Sequence, residues 1–294
     1  MRRLDALRPL LEAFLAATPY RARRVFDPVE LPHRFEDPRD IEVVALLSAS
    51  LAYGRADLFK PKVEGLLASM GPSPARYLAE IDVGEAARLL EGFVYRFNVA
   101  ADLAVLLLGM GAVLRSHGSL EALFLENFSG AMLFDALCGF TAGLRSAAPR
   151  REIHRALGRE RGLGHLLPSP LKAGAAKRLN LFLRWMVRGP DAVDFGIWKS
   201  VPPSVLLIPL DTHVGRIARL LGLTARKDLS WRTAEEITAR LRYLDADDPV
   251  RYDFALCHYG MSGICPSTPI KENCARCLLR PACRVGRRCG LQAS

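Results

Sequence analysis

The sequence predicts an all-α fold, and three observations carry that reading. Apolar residues recur at i, i+3 and i+4 along most of the 294-residue chain, the spacing that places them on one face of a helix. The periodic segments are separated by Pro, Gly or Asp, the residues that stop or cap helices. The one stretch with strand character, SVLLIPL at 204–210, contains Pro209, which cannot donate to a sheet ladder.

The segments follow in order. Residues 3–17 open the chain, and the acids within their apolar stretch argue against a secretory signal, so a cytoplasmic location is expected. Residues 39–53 read as a buried helix with a small-residue stretch, Ser48 to Ala52, and 56–70 as the next helix. Residues 98–116 hold the longest uncharged apolar run, Leu103 to Leu114, which falls short of the roughly 20 residues a membrane span needs. No membrane partner is expected. Helices over 119–126 and 131–145 come next, then an amphipathic helix over 174–188 with Lys177 near its start, a helix over 212–222 behind Asp211, and two more over 231–243 and 249–260. Cys138 and Cys257 fall within apolar helical patterns and are expected in the core. Two Pro/Gly/Arg-rich stretches, 19–38 and 147–173, read as connections; the second is a candidate domain boundary, although the helices on its two sides could equally share one core.

Half the residues are apolar, which excludes disorder and supplies one large core or two moderate ones. Basic residues exceed acidic ones, 41 against 31, for a net charge of +10, and the excess is clustered. Lys172, Lys177, Arg178, Arg184 and Arg188 follow one another without an acid, and a second run spans 271–288 with Glu272 alone against it. Such runs point to a polyanionic partner.

Four features carry chemistry. Asp211 precedes a helix, where a carboxylate accepts from the free N–H groups of the first turn. The same helix end keeps the carboxylate ionised, and a fixed negative charge is what a positive transition state needs. The stretch LPSPLKAGAAKRLN, 167–180, places a turn around Gly174 before the helix that starts near Lys177, and a helix start of this kind offers N–H groups to a phosphate. Cys265-x8-Cys274-x2-Cys277-x5-Cys283 is the most specific signal: four thiolates so closely spaced can close around an iron–sulfur cubane or a zinc ion. Cys289 is a substitute ligand. The fourth feature, EVVALLSASLAYG at 42–54, decides nothing alone.

Taken in order, these stretches resemble the helix-hairpin-helix DNA glycosylase superfamily, which includes endonuclease III, the adenine glycosylase and the 8-oxoguanine glycosylases. The matching residues are Leu46-Leu47-Ser48-Ala49-Ser50, Leu167-Pro168 through Lys177-Arg178-Leu179-Asn180, Leu210-Asp211-Thr212-His213, and Cys265 to Cys283. The long spacing from Lys177 to Asp211 is similar to that of the archaeal 8-oxoguanine glycosylases. Direct matching covers roughly a fifth of the chain.

The resemblance implies two lobes, one from residues 1–38 and 212–294 with the cysteine segment and one from 39–211, with the hairpin at 167–180. It implies Lys177 as the nucleophile that attacks C1′ of a damaged nucleotide, with Lys172 as a rival, and Asp211 as the catalytic carboxylate. Arg178 is expected to help lower the lysine pKa. Lys172, Gly174, Arg178, His213 and Arg284 would contact DNA, and the four cysteines would hold a 4Fe-4S cluster or, alternatively, zinc. The partner would be double-stranded DNA with a damaged base, and the protein a monomer. The expected function is a DNA glycosylase with abasic-site lyase activity; the alternative is a non-catalytic iron–sulfur protein of the same fold that binds or senses DNA structure. Ser50 stands where the family often has a Gln that fills the gap in the duplex. Tyr53, Trp185, Trp198 and Tyr259 are core or base-stacking residues.

Overall fold

The computed structural model describes residues 2–172 and 174–288. The fold is all-α. Its helices are α1 (Arg2–Ala16), α2 (Tyr20–Arg24), α3 (Pro38–Leu51), α4 (Ala56–Met70), α5 (Pro74–Glu80) and α6 (Val83–Leu89). A short antiparallel hairpin, β1 (Val94–Tyr95) with β2 (Asn98–Val99), leads into α7 (Ala100–His117). Then come α8 (Leu120–Leu125), α9 (Leu133–Ala147), α10 (Arg150–Leu157), α11 (Leu163–Leu166) and α12 (Lys177–Val187). The chain continues through α13 (Thr212–Leu221), α14 (Trp231–Leu244), α15 (Asp253–Met261) and α16 (Lys271–Ala275).

The buried apolar side chains form one continuous cluster, organised around α3 and α7. Helix α3 is buried from Asp40 to Leu51 and packs against α12, while α7 packs against α5 and α9. The approach around α7 is close enough that β-carbons at Gly109 and Gly111 would overlap the backbone carbonyls of Leu144 and Leu78. Glycine is required there by space, not by conformation. By length and composition α7 could cross a membrane, the one such helix among the described residues, but 67% of it is buried inside the protein. It is a core helix whose apolar surface is already covered by its neighbours.

Several boundaries differ from the sequence reading. Helix α7 starts at Ala100 because Asn98 and Val99 are taken up by the hairpin, and the side chain of Asp102 turns back to accept the Val99 N–H at 2.9 Å. The stretch 147–173 holds α10 and α11 and a 3-10 turn at Pro170–Lys172, and Ile153 and Leu166 are buried in the common core. SVLLIPL forms no strand: a 3-10 turn at Pro203–Val205 runs into extended chain, where the Ile208 N–H donates to Thr238 Oγ1 at 3.0 Å.

The two ends of the chain meet. The Tyr243 hydroxyl of α14 donates to Asp5 of α1 at 2.8 Å, Arg251 pairs with Glu12 at 3.2 Å, and Phe14 meets Tyr259 of α15 edge to face.

Candidate active site and cysteine pocket

The chain approaches α12 through a tied turn. Lys172 is exposed on the 3-10 turn; Gly174 bridges Ser230, and the Ala175 N–H donates to the Leu229 carbonyl at 3.2 Å. Ala176 then takes a left-handed conformation, φ +45°, unusual for a residue with a β-carbon and costing on the order of 1 kcal/mol. That turn reverses the chain so that α12 begins at Lys177.

Asp211 caps α13 with one oxygen and meets Lys177 with the other. Oδ1 accepts the His213 and Val214 N–H groups, both at 2.9 Å, and Oδ2 lies 3.3 Å from Lys177 Nζ. Burial pushes the Asp211 carboxyl up, but the Lys177 ammonium and the Val214 N–H outweigh it and hold the group below the ordinary carboxylate value. For Lys177, burial pulls the ammonium down, yet Asp211 first, then Cys257 and Asp253, hold it above the ordinary lysine value.

This corrects the expectation for Arg178. Its guanidinium turns away from the lysine: it donates to the His165 carbonyl, reaches the His165 ring at 3.2 Å and lies 4.9 Å above the Tyr53 ring. Burial pulls its pKa down to about 10. The basic run at 172–188 is likewise largely consumed inside the protein. Arg184 is fully buried between Asp194 and Asp253, at 3.0 and 2.5 Å, and Arg188 pairs with Asp191 and Asp248. The acids that neutralise it lie C-terminal to the run in sequence, so the run alone gives no sign of them. Of its five members only Lys172 is exposed.

Beside the Lys177–Asp211 pair lies a cavity of about 90 Å³. Its polar lining includes Asp27, Asp253, Cys257 and His258, and Phe26, 69% exposed, stands at its edge. Asp27 and His258 form a buried pair at 2.8 Å. Burial pushes the Asp253 carboxyl up to about 6, and its Oδ1 has no hydrogen-bond partner among the described residues. Cys257 packs against the core from a partly buried position and also faces the site: its thiol donates to Asp211 Oδ2 at 3.6 Å, and burial and that carboxylate push it well above the ordinary thiol range. Cys138, also half-buried, lies 4.0 Å from Ser169 Oγ. The sequence reading singled out Lys177 in this lining but missed Asp27, Asp253, Cys257 and His258 as site residues. The available signal was Asp253 and Cys257, four residues apart and so on one side of α15.

Trp185 and Trp198 are core residues, 0% and 1% exposed. Tyr53 is half-buried beneath Arg178. Tyr259 belongs to the second site, where its hydroxyl hydrogen-bonds Cys277; burial and that thiol together push it above the ordinary phenol range.

Cys265, Cys274, Cys277 and Cys283 line one cavity of about 210 Å³. Arg216 of α13 donates to Cys265 Sγ at 3.2 Å, and the Gly286 N–H donates to Cys283 Sγ at 3.2 Å. Among the described residues no three His, Cys, Asp or Glu side chains stand close enough to share a single metal ion. The segment docks on α13 through the Arg284 N–H, which donates to the Leu220 carbonyl at 2.8 Å. The side chains of Arg284, Arg287 and Arg288 are exposed, while His213 is half-buried against Gly260. Cys289 lies outside the described residues.

No match is found among curated proteins or among solved structures. One family model matches, over residues 27–262, a span that contains Lys177, Asp211 and the lining of their cavity and ends before Cys265. On that match the chain belongs to the DUF2400 family, described as a protein of unknown function.

Proposed function

We propose that this protein removes a damaged base from double-stranded DNA and nicks the abasic site that results. The observation that carries the reading is the 3.3 Å approach of Lys177 Nζ to Asp211 Oδ2, each held at the start of a helix and beside a cavity with an open rim. In the proposed reaction the Lys177 nitrogen bonds to C1′ of the extruded nucleotide as the glycosidic bond breaks. The electron pair leaves with the base, which takes up the proton that the ammonium sheds. Asp211 stays ionised throughout and stabilises the positive charge that spreads over the sugar.

The four cysteines suit a 4Fe-4S cluster better than zinc. A zinc ion about 2.3 Å from each sulfur would draw all four into mutual contact, whereas a cubane binds thiolates spread around one cavity. The Arg216, Gly286 and Tyr259 donors would offset the charge of the thiolates. When bound, the cluster would supply structure, ordering a segment with few buried apolar residues of its own.

The test is a panel of duplexes, each with one damaged base, assayed for free base and for nicking. Release from at least one member, with nicking at the same site, is expected. If no duplex yields free base and an abasic duplex stays uncut, the non-catalytic reading replaces this one. The DNA partner is tested separately by salt. Exposed Lys172, Arg284, Arg287 and Arg288 are among the available phosphate contacts, so affinity for undamaged duplex should fall steeply as salt rises. Changing Arg284, Arg287 and Arg288 together to Ala should weaken every sequence alike and flatten the salt slope by about one for each phosphate left without its arginine. A salt-independent affinity in the parent protein would remove nucleic acid as the partner.

A further inference from the structure

The segments Tyr20–Arg24 and Asn273–Leu278 lie near opposite ends of the chain, and neither contains an acid. The fold brings both to one groove of about 450 Å³, larger than either cavity described above. Phe14 and Tyr259, whose rings meet edge to face at 5.1 Å, give the groove aromatic surface. Ile264 and Leu278 add aliphatic surface and stay 40% and 46% exposed. Large apolar side chains left facing water along a groove mark a surface that a partner covers.

The groove also holds unspent positive charge. Its cations are Arg23 of α2 and Arg276, which follows α16. Neighbouring arginines are consumed inside the protein: Arg188 and Arg251 pair with Asp248 and Asp245, and Arg24 donates to the Ala192 carbonyl at 2.9 Å. Arg23 donates only to the His258 carbonyl, at 3.5 Å, and Arg276 has no hydrogen-bond partner; neither pairs with an acid among the described residues. No aspartate or glutamate among the described residues lines the groove. Asn273 spends its amide on the Ile264 carbonyl at 2.9 Å, which leaves its own side-chain carbonyl able to accept.

An occupant that satisfies this lining carries negative charge and an apolar group close together. Duplex DNA offers the charge but keeps the apolar faces of its bases stacked inside the helix. An inorganic anion has nothing to place against Phe14 and Leu278. A peptide with carboxylates flanking an aliphatic or aromatic side chain offers both, and a backbone N–H for Asn273 as well.

We propose that this groove docks an acidic segment of a partner protein, with its carboxylates on Arg23 and Arg276 and its apolar side chain packed against Phe14 and Leu278. Nothing in the site depends on the base-removal reading. Apart from Tyr259, the groove residues named here fall outside the span of the family match, 27–262, so docking belongs to the two ends of this chain and not to its matched core. A docked segment would also tie α2 to the cysteine segment.

The probe is a set of fluorescent decapeptides rich in Asp and Glu, with one Leu or Phe placed at each position in turn, titrated by anisotropy against the full chain as purified. At least one member is expected to bind, and replacing its Leu or Phe by Ser, or its acids by their amides, should weaken it roughly tenfold or more. Arg23→Gln and Arg276→Gln should each weaken the peptide by a similar factor and leave duplex affinity near the parent value. Arg276 is exposed and Arg23 half-buried, so neither change empties the core. Bound peptide should slow backbone hydrogen exchange over 14–23 and 264–278. Absence of any binder in the set would overturn the proposal, as would a binder indifferent to both arginines or one whose protection maps elsewhere. Equal binding by the Ser-substituted peptide would reduce the groove to an anion site, and equal loss of peptide and duplex affinity in the arginine variants would assign it to nucleic acid; either result overturns the proposal.

Discussion

Lys177→Gln should abolish both the borohydride-trapped adduct and strand nicking while duplex affinity persists, since glutamine keeps a polar, unbranched side chain only one atom shorter but cannot form an imine. Lys172→Gln should retain both activities, because Lys172 is exposed on the preceding turn and Asp211 Oδ2 lies against Lys177 instead. Trapping that survived in Lys177→Gln and vanished in Lys172→Gln would move the nucleophile to the earlier lysine.

Asp211→Asn separates the two functions of that carboxylate. The asparagine carbonyl can still accept from His213 and Val214, so the cap and most of the fold stability should remain. Base release, which needs the negative charge, should fall on the order of a hundredfold or more. Trapping at a preformed abasic site should respond differently. Lys177 is held above the ordinary lysine value chiefly by Asp211, against burial, so the free amine is scarce at neutral pH and parent trapping should rise as the solution becomes more alkaline. Removing the Asp211 charge lets burial act with less opposition, lowers the lysine pKa and should shift that rise to lower pH. A variant that released base like the parent would leave Asp211 as a cap alone.

The second large effect is expected at the cysteine pocket. Cys277→Ala removes one of the four proposed ligands together with the partner of the Tyr259 hydroxyl. Bound iron should drop, and the segment from Cys265 to Arg288 should become open to protease and hydrogen exchange, since Leu279 is its one buried apolar side chain among the described residues. Cys289→Ala should retain its iron. Full iron in Cys277→Ala would remove this ligand assignment, and zinc in the purified parent protein would replace the cubane by the alternative metal.

How much of this is legible in the sequence depends on how far apart the interacting residues lie along the chain. Helices α3 and α7 are readable because a long apolar period is a local property, and so is the capping of α13, because Asp211 and the N–H groups it accepts are neighbours in sequence. The β1–β2 hairpin is not, since two-residue strands carry no period; α10 and α11 are hidden in a Pro/Gly/Arg-rich stretch. Lys177 can be placed from the turn before it, but its pKa cannot, because Asp253 and Asp27 reach it from the far ends of the chain. The basic run misleads for the same reason: the charge on Arg184 and Arg188 is spent on Asp194, Asp248 and Asp253.

The Lys177–Asp211 pair and the cysteine pocket hang on the same two helices. Helix α13 is capped by Asp211 and sends Arg216 to Cys265, little more than one turn along, while α15 places Asp253 and Cys257 at one site and Tyr259 at the other. The chain is therefore not divisible at residue 262, where the family match stops. Cutting there would leave Arg216 and Tyr259 without their sulfur partners and strip the Leu220 carbonyl of the Arg284 N–H. A minimal fragment that retains Lys177 and Asp211 would keep the proposed reacting groups and lose the anchors of the helices that aim them.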